Sequence, residues 1–452
     1  MPIPIQELYE TRIYPAMSHP LSDPAVSAVA AMLGGLAVRH PAAARILEIG
    51  CCSGLNLIPL ALRWPGSRFI GIDLSGSAIA TARELAGAAG VVNIEFHAVD
   101  LRDFKPAGGG FDFIIAHGFL SWVPADVQAA LFAFCRGNLT PTGIATISFN
   151  LECGWRPRFP VIEKARAIQQ AGAGDEMSAL AILRSVTEPG SPELAIIDDM
   201  LAKGPAILAF DDFGPINDPW PLDRFVQTAA AAGLRWLGES HPGNNLPQNP
   251  DARTLEKLRG HSTDLLAFYL AADATAGRAF RSSVLCREDA RLAERVAWEQ
   301  VFEWSVRGAF LPSSSEDQRI FQAIASAAPA SVPLDVVVAA MPGCDRRDVA
   351  RRVGEGIQRG WILPRIEPVC FDVEPPPRPA LNPFRLECAR RRLPLVDIWH
   401  QPCSFPAGHY AVLAAMDGSR DLCGLAAFSK RHCPELAFEP WLRHLAGRGL
   451  FT

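Results

Sequence analysis

The stretch Ala44-Arg-Ile-Leu-Glu-Ile-Gly-Cys-Cys-Ser-Gly54 carries the strongest fold signal in the chain. Its apolar first half is typical of a buried strand, and residues 56–64 that follow have the apolar spacing of a helix. Gly50 and Gly54 allow the main chain to turn sharply between these elements, where amides at the helix start can face a ligand. Such a turn is typical of cofactor-binding α/β folds, although taken alone it is as common in plain turns.

Outward from this turn, β-rich runs alternate with helical stretches as far as residue 150. Further strands are predicted at 68–74, 93–101, 111–120 and 143–151. Because helices separate these strands, the pattern predicts a parallel sheet covered by helices on both faces. Two more strands are predicted at 235–240 and 281–287, with helical insertions at about 157–210 and 250–280 on either side of the sixth strand.

Polar residues stand where successive predicted strands end. Asp73 ends the second strand, Asp100 the third, and Ala116-His117-Gly118 the fourth. Ligands of open α/β sheets bind at the carboxyl ends of the strands, where a carboxylate such as Asp73 can accept both hydroxyls of a ribose. Taken singly, an aspartate there is equally typical of an exposed helix start. Together these residues predict a site for an adenosyl cofactor, with Asp100 near the adenine amino group.

Composition and charge exclude several other classes. A chain of 452 residues exceeds the size of one hydrophobic core, so we expect two or more domains. The net charge of −5 contains no long block of one sign, which argues against nucleic-acid binding. No apolar run reaches a membrane span of roughly 18 residues, and we recognise no secretory signal, so we expect a cytoplasmic protein without membrane contact. The 11 cysteines are scattered without a CxxC pair, so we expect reduced thiols and no metal site.

Several segments resemble bacterial class I methyltransferases that carry a methyltransferase regulatory domain. This group includes rickettsial enzymes that methylate lysines of an outer-membrane protein. The segments are LEIGCCSGLNLIPLA (47–61), FIGIDLS (69–75), IIAHGFLSWVP (114–124) and SFNLECGW (148–155), with further likeness at Tyr9, Tyr14, Ser18-His19-Pro20, 216–239 and 280–288, and looser likeness at 378–390 and 414–422. The resemblance implies a Rossmann-like, seven-stranded sheet and S-adenosylmethionine (SAM) as cofactor.

The chain departs from the family pattern near the fifth strand. The family has Ser-Tyr-Asn followed by Pro-Gly-Trp, whereas this chain has Phe149 and Cys153 in place of the tyrosine and the proline. Leu55 also stands where a small residue is common. We expect cofactor binding to survive these changes, whereas the identity of the substrate follows less firmly from the resemblance.

The candidate site residues follow from the strand ends and from the resemblance. The candidates for cofactor binding are Glu48, Gly50, Cys52, Gly54, Asn56, Asp73, Leu74, Asp100, Leu101 and His117. The candidates for holding the methyl acceptor are His117, Tyr14 and Trp122, which we expect above the fourth strand. An acceptor lysine has a free pKa of about 10.4, so aromatic groups or a hydrogen-bond acceptor must favour its neutral amine there.

The resemblance also divides the chain. The parts are an N-terminal lid or substrate segment (1–43), a methyltransferase domain with the helical insertions (44–288), a winged-helix-like regulatory region (289–373) and a C-terminal mainly α, helical or winged-helix-like unit (374–452). In the family the C-terminal part is linked to regulation or to engaging a protein substrate. A wing and helix are also typical of nucleic-acid binding, but the balanced charge argues against that function.

Several functions are compatible with these observations. The first is N-methylation of lysines in a protein, and the second is methylation of a small molecule or biosynthetic peptide, with the C-terminal part as a lid or homodimer surface. A third is a non-catalytic SAM-binding scaffold. An NAD-linked oxidoreductase shares only the fold, since Cys52 occupies the position of the middle glycine in the dinucleotide-binding fingerprint.

Overall fold

The computed structural model describes residues 14–247, 251–294, 298–308, 318–341 and 343–451. Tyr9 and the first part of the predicted N-terminal segment lie outside these ranges. Within them, no helix is both long enough and apolar enough to cross a membrane.

A seven-stranded sheet forms the centre of the molecule. Its strands are β1 (Arg45–Ile49), β2 (Arg68–Asp73), β3 (Ile94–Ala98), β4 (Phe111–Ala116), β5 (Leu139–Asn150), β6 (Leu234–Glu239) and β7 (Phe280–Arg287). The spatial order is β3-β2-β1-β4-β5-β7-β6. Strands β1 to β5 are parallel, as the sequence predicts, and β7 runs antiparallel to both β5 and β6. The Rossmann-like seven-stranded fold is therefore confirmed.

Helices cover both faces of this sheet. They include α1 (Pro24–Leu33), α2 (Leu57–Arg63), α3 (Gly76–Ala88) and α4 (Ala125–Asn138), and after the insertion α10 (Leu222–Ala231). Side chains alternate along each strand, so Ile46 packs with α1 to α3 on one face, whereas Leu47 packs with α4 and α10 on the other. Ser75 begins α3 as its N-cap by accepting the amide of Ala78.

Helical insertions flank β6, as the sequence predicts. The first contains α5 (Glu152–Trp155), α6 (Phe159–Ile168), α7 (Glu176–Val186), α8 (Pro192–Ala202) and α9 (Pro205–Asp211), and the second contains α11 (Ala252–His261) and α12 (Leu265–Ala276). The first insertion has a small apolar core of its own, which includes Ile162, Leu180 and Ile197. It can therefore hold a fixed position beside the carboxyl ends of the strands.

The C-terminal part contains two further units. One has the antiparallel strands β8 (Ser305–Gly308), β9 (Val332–Pro333) and β10 (Ile362–Arg365) with α13 (Gln318–Ala325), α14 (Leu334–Ala339) and α15 (Arg346–Gln358). The other has β11 (Leu395–Val396) and β12 (Pro402–Cys403) with α16 (Pro383–Arg390), α17 (Ala407–Ala414), α18 (Leu422–His432) and α19 (Phe438–Gly447). The C-terminal part is mainly helical, and its winged-helix character stays a prediction.

A buried ion cluster holds the C-terminal part against the first helices. Asp23, which is 1% exposed, accepts Arg63 Nη1 at 2.9 Å and Arg365 Nη1 at 3.0 Å. Burial alone would raise the pKa of Asp23, but the two arginines hold it well below its usual range. Asp23 also accepts the amide of Ala25 as the N-cap of α1. The same carboxylate thus starts α1 and pairs with residues more than three hundred positions apart in sequence.

Candidate active site

The turn between β1 and α2 lies against the end of β2. Gly50 (φ +75°), Cys52 (φ +47°) and Gly54 (φ +77°) all have left-handed backbone conformations. The amide of Gly50 donates to the carbonyl of Ile72 at 2.8 Å, and the amide of Cys52 donates to Asp73 Oδ2 at 2.8 Å. These bonds fix the loop beside Asp73, so two segments that the sequence predicts for the cofactor meet at one place.

A cavity of about 560 Å³ lies above the carboxyl ends of the parallel strands. The predicted residues that line it are Glu48, Gly50, Cys52, Asn56, Asp73, Leu74, Asp100, Leu101, His117, Tyr14 and Trp122. Gly54 is not part of the lining. A Cβ atom at Gly54 would lie 2.9 Å from the ring of Phe96, so this glycine is required by packing beneath the loop, and its prediction as a cofactor contact finds no support in the lining.

Glu48 and Asn56 form a buried pair in the cavity wall. Asn56 Nδ2 donates to Glu48 Oε1 at 2.6 Å, and among the described residues Glu48 Oε2 has no hydrogen-bond partner. Burial raises the pKa of Glu48 to about 8, and the nearby Asp73 adds to the shift, while the bond from Asn56 opposes it. A buried polar atom without a protein partner is satisfied by water or by a bound ligand. This position therefore fits a bound polar group.

Two histidines stack above the end of β4. The rings of His19 and His117 are 4.1 Å apart at 25°, and Phe280 lies 5.5 Å from His117. Burial lowers the pKa of His19 to about 4, and burial with the neighbouring His19 and His400 lowers that of His117 well below its usual value. Both rings are therefore neutral at physiological pH. His117 lines the cavity as predicted, but as a neutral imidazole and not as a charged imidazolium.

Part of the cavity lining comes from the first helical insertion and the residues next to it, and we call this part the insertion chamber. Its lining residues are Tyr14, Trp122, Trp155, Arg158, Asp199, Lys203, Phe210 and Asp211. The rings of Trp122 and Trp155 meet edge to face at 6.0 Å, and those of Tyr14 and Phe210 do so at 5.3 Å. Tyr14 thus reaches from the N-terminal segment to the insertion and contributes to a predominantly aromatic wall.

The insertion chamber and its immediate surroundings contain more acidic than basic side chains. Asp212, which is buried beside it, accepts Lys203 Nζ at 2.6 Å and Arg158 Nη1 at 3.4 Å. Arg158 also pairs with Asp199. Asp211 itself faces the chamber and accepts the hydroxyl of Tyr14 at 3.4 Å. Two cations thus stand against three carboxylates, which leaves the chamber with one net negative charge when all are ionised.

Burial raises the pKa of Asp211 to about 6. The adjacent Asp212 carboxylate contributes to the rise, while Lys203, Arg158 and the Tyr14 hydroxyl act in the opposite direction. At neutral pH most Asp211 side chains are therefore ionised. A carboxylate held in an aromatic compartment attracts a cation or a hydrogen-bond donor.

Several residues of this site were not among the sequence candidates. Trp155 stands in a quoted motif, but its role was not assigned. Arg158 precedes α6, Lys203 follows α8 and Asp211 ends α9, in segments whose spacing gives no sign of a site. The departure at Phe149 leaves the cavity unchanged, because Phe149 is buried and stacks on Phe225 at 4.3 Å.

The residues present fit the predicted cofactor. Asp73 lies at the end of β2, Asp100 follows β3 with its carboxylate accepting the amide of Arg102, and Glu48, whose Oε2 has no partner among the described residues, lines the same cavity from β1. Among the residues that the structure describes, no cluster of three histidine, cysteine or acidic side chains could hold a metal ion. The cavity offers carboxylates and main-chain turns for an adenosyl amino acid.

This sheet order, with a glycine turn after β1 and acidic residues after the next strands, defines the fold of class I SAM-dependent methyltransferases. Residues 46–143 match a family model described as a methyltransferase domain. Residues 204–287 match a model described as a predicted methyltransferase regulatory domain. The second region supplies β6, β7 and Asp211, so here it completes the sheet and the cavity.

Among solved structures, the chain is similar to PKMT2 from Rickettsia typhi, also solved in complex with AdoHcy, with a TM-score of 0.79 and 18% identity over 96% of each chain. An uncharacterized protein of Rickettsia prowazekii (strain Madrid E) is 27% identical over 66% of this chain and 56% of its own length. A trans-aconitate 2-methyltransferase of Streptomyces avermitilis is 38% identical over 24% of this chain and 39% of its own length. The alignments thus span about half or less of these curated relatives.

Proposed function

We propose that this protein transfers the methyl group of SAM to the side-chain amine of lysine in a protein or peptide. The proposal depends above all on the insertion chamber, an aromatic compartment with a net negative charge that opens from the cofactor end of the cavity. The other features of the site concern the cofactor and are shared by methyltransferases with quite different acceptors.

The cofactor end would be held by the glycine turn, by Glu48 and by Asp73, with Asp100 and Leu101 beside the adenine. When bound, SAM supplies a methyl group activated by a sulfonium. The protein must then hold the acceptor nitrogen in line with that group and keep water away. Tyr14 and the neighbouring residues of the N-terminal segment line the cavity, so this segment can serve as the predicted lid.

The insertion chamber fits an amine better than a carboxylic acid. Trp122 and Trp155 can pack against the methylene stem of a lysine, and Asp211 can accept a hydrogen bond from its amine. The cations Arg158 and Lys203 are already paired with Asp212, so they are not available to neutralise an anionic acceptor. A tricarboxylate such as the acceptor of trans-aconitate 2-methyltransferases would meet a like-charged compartment.

The acceptor amine must lose its proton before transfer. Aromatic surroundings lower the pKa of a lysine amine, since burial disfavours the charged form, whereas the Asp211 carboxylate favours that form. A proton moving from an amine with a pKa of about 10.4 to a carboxylate with a pKa of about 6 goes uphill. We therefore assign Asp211 to orienting the amine through its N–H groups, and the proton passes to the solvent buffer before the amine reaches the methyl group and water is excluded. The similarity to PKMT2, whose name denotes a protein lysine methyltransferase, agrees with this acceptor.

The test is methyl transfer to proteins of bacterial lysates, followed by intact-mass spectrometry of the labelled species. We expect mass increments of one methyl group or more on protein, located on lysines by peptide mapping. Lysates whose lysines have been fully acetylated form the matched control and should accept none, because an amide nitrogen is not nucleophilic. Transfer to small-molecule extracts or trans-aconitate instead, or SAM binding without transfer to any fraction, would overturn the proposal in favour of the small-molecule enzyme or the scaffold.

A further inference from the structure

The loop between β11 and β12 reaches the wall of the cofactor cavity. His400 in this loop is fully buried, and its Nε2 lies 2.7 Å from Asn56 Oδ1. Its carbonyl accepts the hydroxyl of Ser18 at 2.9 Å. Asn56 in turn donates to Glu48, which lines the cavity. A residue of the C-terminal unit is therefore two hydrogen bonds away from a carboxyl group of the cofactor site.

The direction of these hydrogen bonds follows from the backbone. The amide of His19 donates to the same Asn56 atom at 2.8 Å, and a backbone N–H can only donate. That atom is therefore the oxygen, and His400 must donate to it from Nε2–H. The other end of the Asn56 amide is then its NH₂ group, which donates to Glu48 Oε1 at 2.6 Å. Reversing the amide would place its oxygen against the Glu48 carboxyl and its NH₂ against two donors.

We propose that His400 is a positioning residue of the cofactor site, which fixes the Asn56 amide in the orientation that holds Glu48 towards the cavity. The C-terminal unit is then a part of the cofactor site, in addition to any regulatory or substrate-binding function. This inference rests on the proposed function only in taking the ligand of the cavity to be SAM. It concerns no chemical step, because His400 does not line the cavity.

The backbone of His400 has an uncommon conformation. Its φ of +64° lies in the left-handed region, which few non-glycine residues adopt, although asparagine, aspartate and histidine are enriched there. Arg448 pairs with Asp397 at 2.6 Å, and the Asp397 carboxylate accepts the amides of Trp399 and Gln401, so the loop is held from its far side. The strained residue is thereby kept where its ring meets Asn56.

The low pKa of His400 keeps its ring neutral, so that Nε2–H can donate to Asn56 over a wide range of pH. Burial, with Arg63, His19 and Arg365 nearby, lowers its pKa to about 3, although Asp23 acts in the opposite direction. The ring therefore stays neutral above pH 5, and the Nε2–H tautomer is present throughout. Its contribution to ligand binding should not change with pH between 5 and 7, where Glu48 also keeps its proton, whereas that of a titrating histidine would.

The experiment compares two substitutions in the full-length protein. His400→Asn keeps a residue that tolerates the left-handed backbone but is too short to reach Asn56, while His400→Gln keeps an amide NH₂ at about the reach of Nε2. Binding of AdoHcy, the demethylated product of SAM, is measured by calorimetry, and folding is checked by thermal unfolding and circular dichroism. We expect an affinity about tenfold weaker for His400→Asn, at pH 5.5 and at pH 7 alike, and recovery in His400→Gln.

A folded His400→Asn protein with the affinity of the unsubstituted chain would overturn the inference. Asn56→Ala provides a second measurement if His400→Asn does not fold, because an unchanged affinity in Asn56→Ala rules out any route through that amide. In the double variant, the loss caused by His400→Asn should shrink, since the partner is already missing. If the unsubstituted protein ignores AdoHcy, the proposed function fails instead, so the two failures are distinguishable.

Discussion

The hydroxyl of Tyr14 donates to Asp211 Oδ1 at 3.4 Å and joins the N-terminal segment to the last helix of the first insertion. This contact closes the insertion chamber between two chain segments that lie 197 residues apart. Neither residue belongs to the sheet that carries the cofactor residues. The acceptor compartment is therefore built on the class I fold from parts outside its core.

Asp211→Asn should lower kcat/KM for a lysine acceptor by about tenfold or more, because a charge-assisted hydrogen bond is lost. The affinity for AdoHcy should not change. Burial raises the pKa of Asp211 to about 6, so below that pH the unsubstituted enzyme should lose kcat/KM more steeply than Asp211→Asn, in which only protonation of the acceptor amine lowers the rate. Steady-state kinetics from pH 5 to 8 measure both effects.

The matched control for this prediction is Asp198→Asn. Asp198 lies on the same insertion, is about half exposed, pairs with Arg184 at 2.7 Å and does not line the cavity. Its kinetics should equal those of the unsubstituted enzyme. Equal kcat/KM in both variants would mean that Asp211 does not meet the acceptor.

Asp73→Ala should weaken AdoHcy binding about tenfold or more while the protein stays folded. The carboxylate of Asp73 accepts the amides of Cys52 and Ser75, and it lines the cavity where a ribose would lie. Calorimetric titration measures the affinity. Asp103→Ala is the control, because Asp103 is exposed beside the same edge of the sheet without lining the cavity. If Asp73→Ala bound the ligand normally, its assignment to the ribose would be wrong.

Glu48→Gln should stabilise the ligand-free protein at alkaline pH. Burial raises the pKa of Glu48 to about 8, so the folded state holds its proton more tightly than the unfolded state does. Between the two pKa values the unsubstituted protein should lose about 1.4 kcal/mol per pH unit relative to the variant. Thermal unfolding at pH 5 and pH 8 should show that the stability of Glu48→Gln relative to the unsubstituted protein increases with pH. A stability difference that stays constant with pH, as we expect for the exposed Glu256→Gln, would contradict this.

Asp23→Asn should destabilise the protein by about 3–5 kcal/mol, because Arg365 would be left buried beside an uncharged partner. The pKa of Asp23 is held well below its usual range, so its stabilising contribution is complete above the unfolded pKa and is lost as the pH falls below about 4. Denaturant unfolding compares this variant with Asp335→Asn, whose pair with Arg346 is exposed on both sides. The control should lose less than about 1 kcal/mol. Similar losses of unfolding free energy in Asp23→Asn and Asp335→Asn would show that the buried ion cluster is not the main contact between the C-terminal part and the first helices.

The cofactor end of the site could be predicted from sequence because its residues lie at the ends of consecutive strands. Glu48, Asp73 and Asp100 each follow a short apolar run, and strand ends of a parallel sheet meet at one edge. The alternation of short apolar runs with helical stretches also predicted the strands themselves. The direction of β7 did not follow from it, because an antiparallel strand buried on both faces has the same apolar pattern as a parallel one.

The insertion chamber and the His400 contact could not be predicted in this way. Asp211 ends a short helix in a region without regular spacing, and no local pattern relates it to Tyr14. His400 lies 344 residues after Asn56, and its place depends on how the C-terminal unit packs against the first helices. Such contacts are set by tertiary packing of distant segments, which a single sequence does not encode in its spacing.

The position of β7 has an effect on how the chain is made. Residues 151–279 must be synthesised after β5 before β7 can pair with it. At about 5–20 residues per second this takes on the order of ten seconds, during which the nascent chain carries an unpaired sheet edge. A ribosome that pauses within the insertion would prolong the interval in which neighbouring polypeptides can add to that edge, so the yield of soluble protein should depend on codon usage there.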